Sequence, residues 1–280
     1  MIIVNHSLDL RAKINTWKQN GLGVALVPTM GNLHAGHLKL VNTAKQKADK
    51  VVVSIFVNPT QFGINEDFAS YPRTEQGDQL KLATENTDLL FLPAIADIYN
   101  ANAQTTVNVS GLSNIYCGAF RPGHFSGVAT IVCKLFNLVQ PDIAVFGLKD
   151  FQQFTVIKTM IRDLNIPIEL MGVDTQREAN GLAMSSRNNY LTDQERKLAP
   201  QLYQALGIAQ TAILAGQKSY ADIEQQATQS LKNAGFTPDY FSICNCHDLS
   251  SATNQDKDIV ILAAAKLGKT RLIDNIYFSL

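Results

Sequence analysis

The sequence predicts an α/β fold in which a doubly wound, parallel, Rossmann-like sheet is followed by a second, smaller α+β domain. Up to about residue 175, short β-branched runs alternate with longer amphipathic segments. This alternation is typical of parallel strands joined by right-handed helical crossovers. After residue 188 the chain changes to long helical segments and then to three strand-like runs. We therefore expect one domain over residues 1–175 and another over residues 176–280.

The first domain is predicted to contain buried strands separated by helices. Continuous apolar runs bounded by Gly, Pro or Asn indicate strands at 24–27, 51–57, 88–92, 142–146 and 168–173. Helical patterns lie between them at 37–48, 75–86, 125–139 and 151–164. Ligands of such sheets bind at the carboxyl ends of the strands, so the residues that follow each strand are the first candidates for a site.

The second domain is predicted to begin with helices. One long helix is expected over 192–215, with Thr192 as its N-cap, and another over 220–234. Strands are expected at 240–244, 259–264 and 270–278.

Composition excludes several classes of function. The 280 residues include 24 basic and 24 acidic side chains, so no net positive field favours nucleic acid or an anionic membrane. Residues 1–6 lack the basic and apolar regions of a secretory signal, and no apolar run approaches the ~18 residues that span a bilayer. The four scattered cysteines do not form a disulfide framework. We expect a soluble, cytoplasmic protein.

A His-x-Gly-His sequence follows the first predicted strand and opens a helix. His34 and His37 are three residues apart, so both can face one ligand, and Gly36 permits close approach to the backbone. Unpaired N–H groups and the helix dipole attract phosphate at a helix N-terminus. Histidine pairs at this spacing also arise by chance, but the strand–turn–helix context favours a phosphate site.

Amide side chains follow the second strand. Pro59 ends that strand, which would direct Asn58 and Gln61 toward the histidines. Neutral amides suit a substrate that carries a hydroxyl and a carboxylate. The alternative is that Asn-Pro is only a turn signal.

Lys149 and Asp150 follow the fourth strand, and Gln153 falls on the same helical face as Asp150. The ammonium could neutralise a phosphate, and the carboxylate could accept a ribose hydroxyl. A Lys-Asp pair at a helix start is also common as solvated capping.

Ser185, Ser186 and Arg187 form a candidate anion clamp, because a guanidinium can bind two phosphate oxygens while hydroxyls donate to others. The segment resembles the second signature of the adenylate-forming nucleotidyltransferases and class I aminoacyl-tRNA synthetases. The first signature of these enzymes is His-x-Gly-His.

A closer resemblance covers essentially the whole chain. Its motifs are Pro-Thr-Met-Gly (28–31), Ile-Phe-Val-Asn-Pro (55–59) with Gln-Phe (61–62), Tyr-Pro-Arg-Thr (71–74), Arg-Pro-Gly-His-Phe (121–125), Lys-Asp-Phe-Gln-Gln (149–153), Met-Ser-Ser-Arg-Asn (184–188) and Arg-Leu-Ile-Asp-Asn (271–275). Together they resemble the pantothenate synthetase family. The resemblance implies an ATP-dependent ligase that activates pantoate as an acyl-adenylate and couples it to β-alanine, releasing AMP and pyrophosphate.

The resemblance also implies roles for individual residues. ATP would be bound by Met30, Gly31, Asn32, Leu33, His34, Ala35, Gly36, His37, Gly147, Leu148, Lys149, Asp150, the backbone near Gln176, Met184, Ser185, Ser186 and Arg187. His37 would be the proton donor, and His34, Lys149 and Arg187 would join it in catalysis. Gln61 and Gln153 would hold pantoate, Gln61 would also meet β-alanine, and Asn58 would support them. Residues 121–126 would form part of a cover, and the C-terminal domain a lid.

Members of this family use Mg²⁺ and are usually homodimers, and Asp78 is the candidate metal ligand here. Three positions depart from the family pattern, with Leu148, Cys117 and Asn180 standing where acidic residues are usual. Each departure removes a negative charge near an anionic ligand. Cys244-Asn-Cys-His247 could suggest a metal site, but a closed zinc site normally needs four ligands, so alternation along a strand is the preferred interpretation.

Other functions compete with the ligase. A related nucleotidyltransferase acting on a phosphorylated acceptor would need more basic residues than the neutral Gln61 and Gln153. A nucleotide-sensing module without chemistry is disfavoured by the pair of cations Lys149 and Arg187. A dehydrogenase is disfavoured because the first turn lacks Gly-x-Gly-x-x-Gly.

Overall fold

The computed structural model describes residues 1–64 and 66–280, which form two compact units. The first unit contains residues 1–148 and 156–174, and the second contains residues 149–155 and 175–280. The short segment 149–155 therefore belongs with the C-terminal part of the chain. The functional division into a nucleotide- and pantoate-binding domain and a lid domain stays a prediction.

The first unit is a parallel sheet with helices in the crossovers. Its strands are β1 (Ile2–Val4), β2 (Val24–Thr29), β3 (Lys50–Ile55), β4 (Leu89–Phe91), β5 (Ile143–Gly147) and β6 (Glu169–Val173). Its helices are α1 (Ser7–Gln19), α2 (Ala35–Lys45), α3 (Glu75–Thr84), α4 (Ile95–Ile98), α5 (Cys117–Phe120), α6 (His124–Val139) and α7 (Phe151–Asp163), the last of which begins in segment 149–155. The described strands pair in parallel in the order β1-β4-β3-β2-β5-β6.

This strand order contains a topological switch point. From β2 the chain moves through β3 and β4 toward one edge, and from β5 it moves to β6 at the other edge. The carboxyl ends of β2 and β5 therefore flank the crevice in which open α/β sheets bind ligands. The turn after β2 carries the His-x-Gly-His sequence, and Gly147 is the last residue of β5.

The apolar sequence of the central strands explains their burial. The first four residues of β2 and the last five of β3 are buried, which fits strands covered on both faces. Helix α2 packs against β2, β3 and β5, while α1 and α6 pack against each other and against β2. The predicted parallel α/β fold is confirmed.

The second unit combines helices with an antiparallel sheet. Helices α8 (Asp193–Leu198), α9 (Gln201–Leu214) and α10 (Tyr220–Asn233) precede strands β7 (Thr237–Asn245), β8 (Asp258–Leu267) and β9 (Thr270–Ser279). The strands pair in the order β7-β8-β9. Leu206, Leu231 and Ile261 are at the centre of its apolar core. This arrangement confirms the prediction of a second, smaller domain of α+β class.

Several elements differ from the sequence prediction. The helix expected over 192–215 is two helices, because Pro200 at the start of α9 cannot continue the hydrogen-bond ladder of α8. The strand expected to reach residue 57 ends at Ile55, where the chain turns into a 3₁₀ helix at Pro59–Gln61. Strand β1 and helices α1, α4 and α5 were not predicted. No described helix is both long and apolar enough to cross a membrane.

Candidate active site

The turn after β2 adopts a backbone that restricts its sequence. Gly31 and Asn32 have φ angles of 83° and 50°, in the left-handed region where glycine and asparagine are favoured. A Cβ atom on Gly31 would lie 3.0 Å from Ile55 Cγ2 and 3.2 Å from Asp78 Oδ2. Gly31 is therefore required both by its φ angle and by its neighbours.

Asp78 fixes this turn from the first turn of α3. Its Oδ2 accepts a hydrogen bond from the Asn32 amide at 2.8 Å, and its Oδ1 accepts one from the Leu33 amide at 2.8 Å. The Thr74 hydroxyl also donates to Oδ2, at 3.1 Å. The Asp78 side chain is only 1% exposed. A buried carboxylate is tolerated only with such partners, and here it replaces the missing backbone partners of the turn.

Lys81, one helical turn after Asp78, completes this support. Its ammonium donates to the Leu33 carbonyl at 2.6 Å and lies 3.9 Å from Asp78 Oδ1. Both the N–H and the C=O of Leu33 are thus held by α3. The residue immediately before His34 is therefore fixed in place.

His34 and His37 form a capping box at the N-terminus of α2. The amide of Gly36 donates to His34 Nδ1 at 3.1 Å, and the amide of His34 donates to His37 Nδ1 at 3.3 Å. Because both Nδ1 atoms accept hydrogen bonds, the neutral rings carry their protons on Nε2. The ring centroids are 4.1 Å apart. The helix start thus presents two N–H donors on adjacent rings, and phosphate binding there stays a prediction.

Asn58 is a scaffold for the turn that carries Gln61. The Asn58 side chain is buried, with its Nδ2 donating to Gln61 Oε1 at 3.0 Å and to the Gly127 carbonyl at 3.1 Å. Its Oδ1 accepts from the Tyr99 hydroxyl at 2.9 Å and from the Thr60 hydroxyl at 3.0 Å. These contacts agree with a supporting role, since the Asn58 amide is already fully engaged.

Gln61 lies beside the turn after β2. Its Nε2 donates to Met30 Sδ at 3.1 Å, and its Oε1 accepts from Asn58. The structure therefore brings Gln61 and Met30 together, as expected if pantoate and nucleotide bind side by side. A sulfur is a weak acceptor, so a carboxylate or hydroxyl can replace it as the partner of this amide.

The cover segment is tied to the Gln61 turn by charged hydrogen bonds. The Arg121 guanidinium forms a bidentate pair with the Glu66 carboxylate, and His124 Nδ1 lies 2.8 Å from the Gln61 carbonyl. Burial raises the pKa of the Glu66 carboxyl, but the hydrogen bonds and charge of Arg121 outweigh burial and leave that pKa below its ordinary value. Glu66 was not predicted from the sequence, because it lies 55 residues from Arg121.

The predicted residues that follow Leu148 lie in the second unit. Lys149 and Asp150 are in a 3₁₀ turn at Leu148–Asp150, with Lys149 Nζ 4.0 Å from Asp150 Oδ2. The backbone carbonyl of Lys149 accepts from Asn275 Nδ2 at 2.8 Å. Gln153 follows in the first turn of α7 and is partly buried.

The Ser-Ser-Arg segment ends a small hairpin. The Met184 amide donates to the Gln176 carbonyl at 2.9 Å, and Arg177 and Ala183 form an isolated antiparallel bridge. Ser185 then caps a 3₁₀ helix at Ser186–Tyr190, accepting from the Arg187 amide at 3.3 Å. The serine hydroxyl therefore orders the backbone of the residue predicted to bind phosphate.

The hairpin is anchored by a buried ion pair. Arg177 donates to Asp274 Oδ2 at 2.6 Å and to Oδ1 at 2.9 Å, and its guanidinium lies 3.6 Å from the centroid of the Tyr203 ring. Burial raises the pKa of the Asp274 carboxyl, against the lowering effect of Arg177. Neither Arg177 nor Tyr203 was predicted as a site residue.

Two of the three departures from the family pattern lie at buried positions, and nothing in the structure explains the third, Asn180. Leu148 is buried over Gly172, where a Cβ atom would lie 2.6 Å from Leu148 Cδ2. Cys117 is also buried, in a position that suits a thiol better than a carboxylate. Asn180 Oδ1 accepts from the Leu182 amide at 3.0 Å, a bond that a carboxylate would also make.

The described residues, 1–64 and 66–280, contain no metal-binding geometry. No group of three or more His, Cys, Asp or Glu side chains there could hold a metal ion. The oxygens of Asp78 are occupied by the turn, as described above. Cys244 is buried, and His247 Nε2 instead lies 3.3 Å from Asp258 Oδ2.

The chain matches one family of known proteins over nearly its whole length. The family model described as pantoate-beta-alanine ligase matches residues 2–277. The chain is 55% identical to the pantothenate synthetase of Shewanella baltica (strain OS195) over 99% of both chains. It is 54% identical to that of Methylococcus capsulatus over 100% of this chain and 99% of the relative.

Solved structures give the same relationship. The crystal structure of pantothenate synthetase from Thermus thermophilus matches with a TM-score of 0.92 and 42% identity over 99% of both chains. The pantoate-beta-alanine ligase of Francisella tularensis, solved in complex with beta-gamma ATP and beta-alanine, matches with a TM-score of 0.81 and 34% identity. That match covers 99% of this chain and 97% of the Francisella chain.

Proposed function

The chain belongs to the pantoate-beta-alanine ligase family and condenses pantoate with β-alanine using ATP, and we propose that it does so through a pantoyl-adenylate intermediate. The observation that carries this proposal is the pair of imidazoles at the start of α2, each oriented by a backbone hydrogen bond so that Nε2 carries the proton. Such a pair can donate to phosphate oxygens at a helix N-terminus that already favours anions.

In the first step, a carboxylate oxygen of pantoate attacks the α-phosphorus of ATP. An O–P bond forms, the bond to the β-phosphate breaks, and pyrophosphate leaves. His34 and His37 donate hydrogen bonds to phosphoryl oxygens as negative charge develops, with His37 as the assigned proton donor. Lys149 and Arg187 supply positive charge to the same triphosphate during the reaction.

The nucleotide is also expected to contact the backbone of the turn after β2. This turn is already fixed by Asp78 and Lys81, so little reorganisation accompanies binding. Gly36 carries no side chain, so phosphate can approach the main chain at that residue. The remaining nucleotide contacts are assigned to Gly147, Leu148, Asp150, the backbone of Gln176 and Met184.

Pantoate is assigned to the amides of Gln61 and Gln153. The Gln61 amide is held by Asn58 and directed at Met30, which orients it before substrate arrives. A pre-oriented neutral amide can bind the hydroxyl or carboxylate of pantoate without adding charge near the triphosphate. Asn58 acts through Gln61 and not by contact with substrate, since its own amide is buried and engaged.

In the second step, the neutral amine of β-alanine attacks the acyl carbon of the adenylate. A C–N bond forms, the bond from that carbon to the AMP oxygen breaks, and the amine releases its proton to solvent. No enzyme nucleophile is required, because the amine makes the new bond. The protein positions the reactants and excludes water from the anhydride, which is the role assigned to the C-terminal lid and to the cover at residues 121–126.

Mg²⁺ is assigned to the nucleotide and not to a protein cage. When bound, it would neutralise charge on the phosphates, which together with water are its preferred ligands. The predicted ligand Asp78 has both oxygens in hydrogen bonds to the turn, so its contacts favour a positioning role. No step above depends on a metal bound to the chain.

A cytoplasmic homodimer completes the proposal. Four free cysteines suit a reducing compartment, which also supplies ATP. The edge strand β1 carries the exposed apolar side chains Ile2 and Ile3, which could contribute to an interface between two copies. Light scattering on the purified protein would give its mass in solution.

Isotope exchange tests the adenylate directly. Labelled pyrophosphate should enter ATP when pantoate is present and β-alanine is absent, and AMP should accumulate in steady state only with both substrates. Exchange that occurs without pantoate, or that requires a phosphorylated acceptor in its place, would contradict the proposal and favour another nucleotidyltransferase. If no AMP forms when both substrates are present, a nucleotide-sensing module would be favoured.

A further inference from the structure

The Asp-Asn pair near the end of β9 is buried on both faces of the small sheet. Asp274 and Asn275 are each 4% exposed, although they are adjacent in a strand and therefore point to opposite faces. Polar side chains are rarely buried unless they hold a specific partner. Asp274 pairs with Arg177, which lies in the hairpin that leads to Arg187, and Asn275 bonds to the backbone of Lys149. Each of the two therefore holds a segment that carries a predicted phosphate ligand.

On one face, β9 contacts the segment that carries Lys149. Asn275 Nδ2 donates to the Lys149 carbonyl at 2.8 Å, and two residues later the Tyr277 ring lies 5.8 Å from the ring of Phe151. These contacts explain why residues 149–155 belong to the second unit although they follow β5 of the first. The backbone that bears the Lys149 ammonium is thus docked on β9.

On the other face, β9 contacts the hairpin that leads to Arg187. The Arg177 guanidinium forms its bidentate pair with Asp274 and donates to the Asn275 carbonyl at 3.3 Å and to the Gly181 carbonyl at 3.2 Å. A planar guanidinium that satisfies several oxygens at once gives a geometrically fixed joint. One strand therefore carries both cation-bearing segments, one on each face.

We propose that Asn275 is a positioning residue for the known reaction, acting through the backbone of Lys149 and supported from the opposite face by the Arg177–Asp274 pair. This inference rests on the proposed role of Lys149 at the triphosphate. The Leu148–Asp150 turn is short, and the Asn275 amide holds it at a point where the chain passes from β5 into α7. Without that bond the ammonium would retain its charge but lose its fixed position.

A double-mutant cycle tests the proposal. Asn275→Ala is expected to lower kcat for pantoate-dependent pyrophosphate exchange by about 10- to 100-fold, the range that a misplacement of about 1 Å produces. In the Lys149→Ala background the same change is expected to lower kcat less than about 3-fold, because there is no ammonium left to misplace. Independent, multiplicative effects of the two substitutions would overturn the proposal.

Two controls separate positioning from loss of the fold. Asp239→Asn breaks a largely buried ion pair with Arg271 in the same sheet and is expected to lower stability while keeping kcat near that of the parent. Asn275→Asp keeps the size of the side chain but removes its N–H donors, so it is expected to lose activity like Asn275→Ala. Parental kcat in a folded Asn275→Asp variant would overturn the proposal.

The two single variants distinguish failure of the proposed function from failure of the positioning role. If Lys149→Ala alone kept parental exchange, the role of Lys149 at the triphosphate would be wrong, and the inference about Asn275 would fall with it. If Lys149→Ala lost activity but Asn275→Ala did not, only the positioning role would be overturned.

Discussion

Replacing Asp78 is expected to damage the turn after β2 and not the affinity for metal. In Asp78→Ala, the amides of Asn32 and Leu33 and the hydroxyl of Thr74 lose their acceptor in a region closed to solvent. Each buried donor left without a partner costs about 1–3 kcal/mol. Because water that enters the site can satisfy some of these donors, we expect the free energy of unfolding to fall by about 3–5 kcal/mol. This is a large part of the ~5–15 kcal/mol that stabilises a typical domain.

The protein contains a suitable probe for this measurement. Trp17 is the single tryptophan, it is buried in α1, and it lies in the same compact unit as Asp78. Its fluorescence during urea denaturation therefore reports the unit in which the substitution is made. Asp78→Ala should shift the Trp17 transition to lower urea, and a loss below about 1 kcal/mol would refute the buried hydrogen-bond argument.

Mg²⁺ titration separates the positioning role of Asp78 from a ligand role. Asp78→Asn keeps the shape of the side chain and can still accept from one backbone amide, so this variant is expected to be more stable than Asp78→Ala. Its exchange activity should fall at every Mg²⁺ concentration, with the half-saturating concentration unchanged. Recovery of parental activity simply by raising Mg²⁺ would show that Asp78 is a metal ligand.

Three further predictions follow from the same unit. His37→Ala should slow adenylate formation by a factor on the order of 10² or more, and near-normal ATP–pyrophosphate exchange would refute its role. Gly127→Ala places a Cβ atom against the backbone of the Pro59–Gln61 turn, so it should lower the free energy of unfolding by about 1–3 kcal/mol. Because this turn carries Gln61, the substitution should also raise KM for pantoate, and an unchanged KM would contradict the assigned role of the turn. The pKa of Glu66 is lowered in the folded state. The stabilisation by its pair with Arg121 is therefore fully present at pH above the ordinary glutamate pKa of ~4.3, and it is lost as the pH falls through the lowered pKa of the folded protein. Urea denaturation should show the advantage of the parent over Glu66→Gln shrinking over that range, and a difference independent of pH would contradict the pair.

Local sequence signals sufficed for most of the fold. The apolar runs of β2 and β3 and the periodic pattern of α6 are long and bounded, so their type was predictable. Strand β1 was missed because three residues at an exposed edge carry no periodic signal. The break at Pro200 was also missed, although proline in a helical pattern is itself a signal that a new helix begins.

The candidate site was predictable where its chemistry is local. The His-x-Gly-His sequence correctly predicted that a helix starts there, because the strand, the turn and the helix are neighbours in the chain, but it did not predict the capping box that the two rings form. The partners of that turn were not predictable, since Asp78 lies 46 residues from Asn32 and no periodic pattern connects them. Asn275 is 126 residues from Lys149, so only the folded structure reveals their contact.

Transfer of heavy oxygen from the pantoate carboxylate tests the adenylate mechanism most directly. With both carboxylate oxygens labelled, the oxygen that attacks the α-phosphorus should leave with AMP, and the other should remain in the new amide. Mass spectrometry should therefore find one labelled oxygen in AMP and none in pyrophosphate. Unlabelled AMP, or label in inorganic phosphate or pyrophosphate, would contradict activation of pantoate at the α-phosphorus.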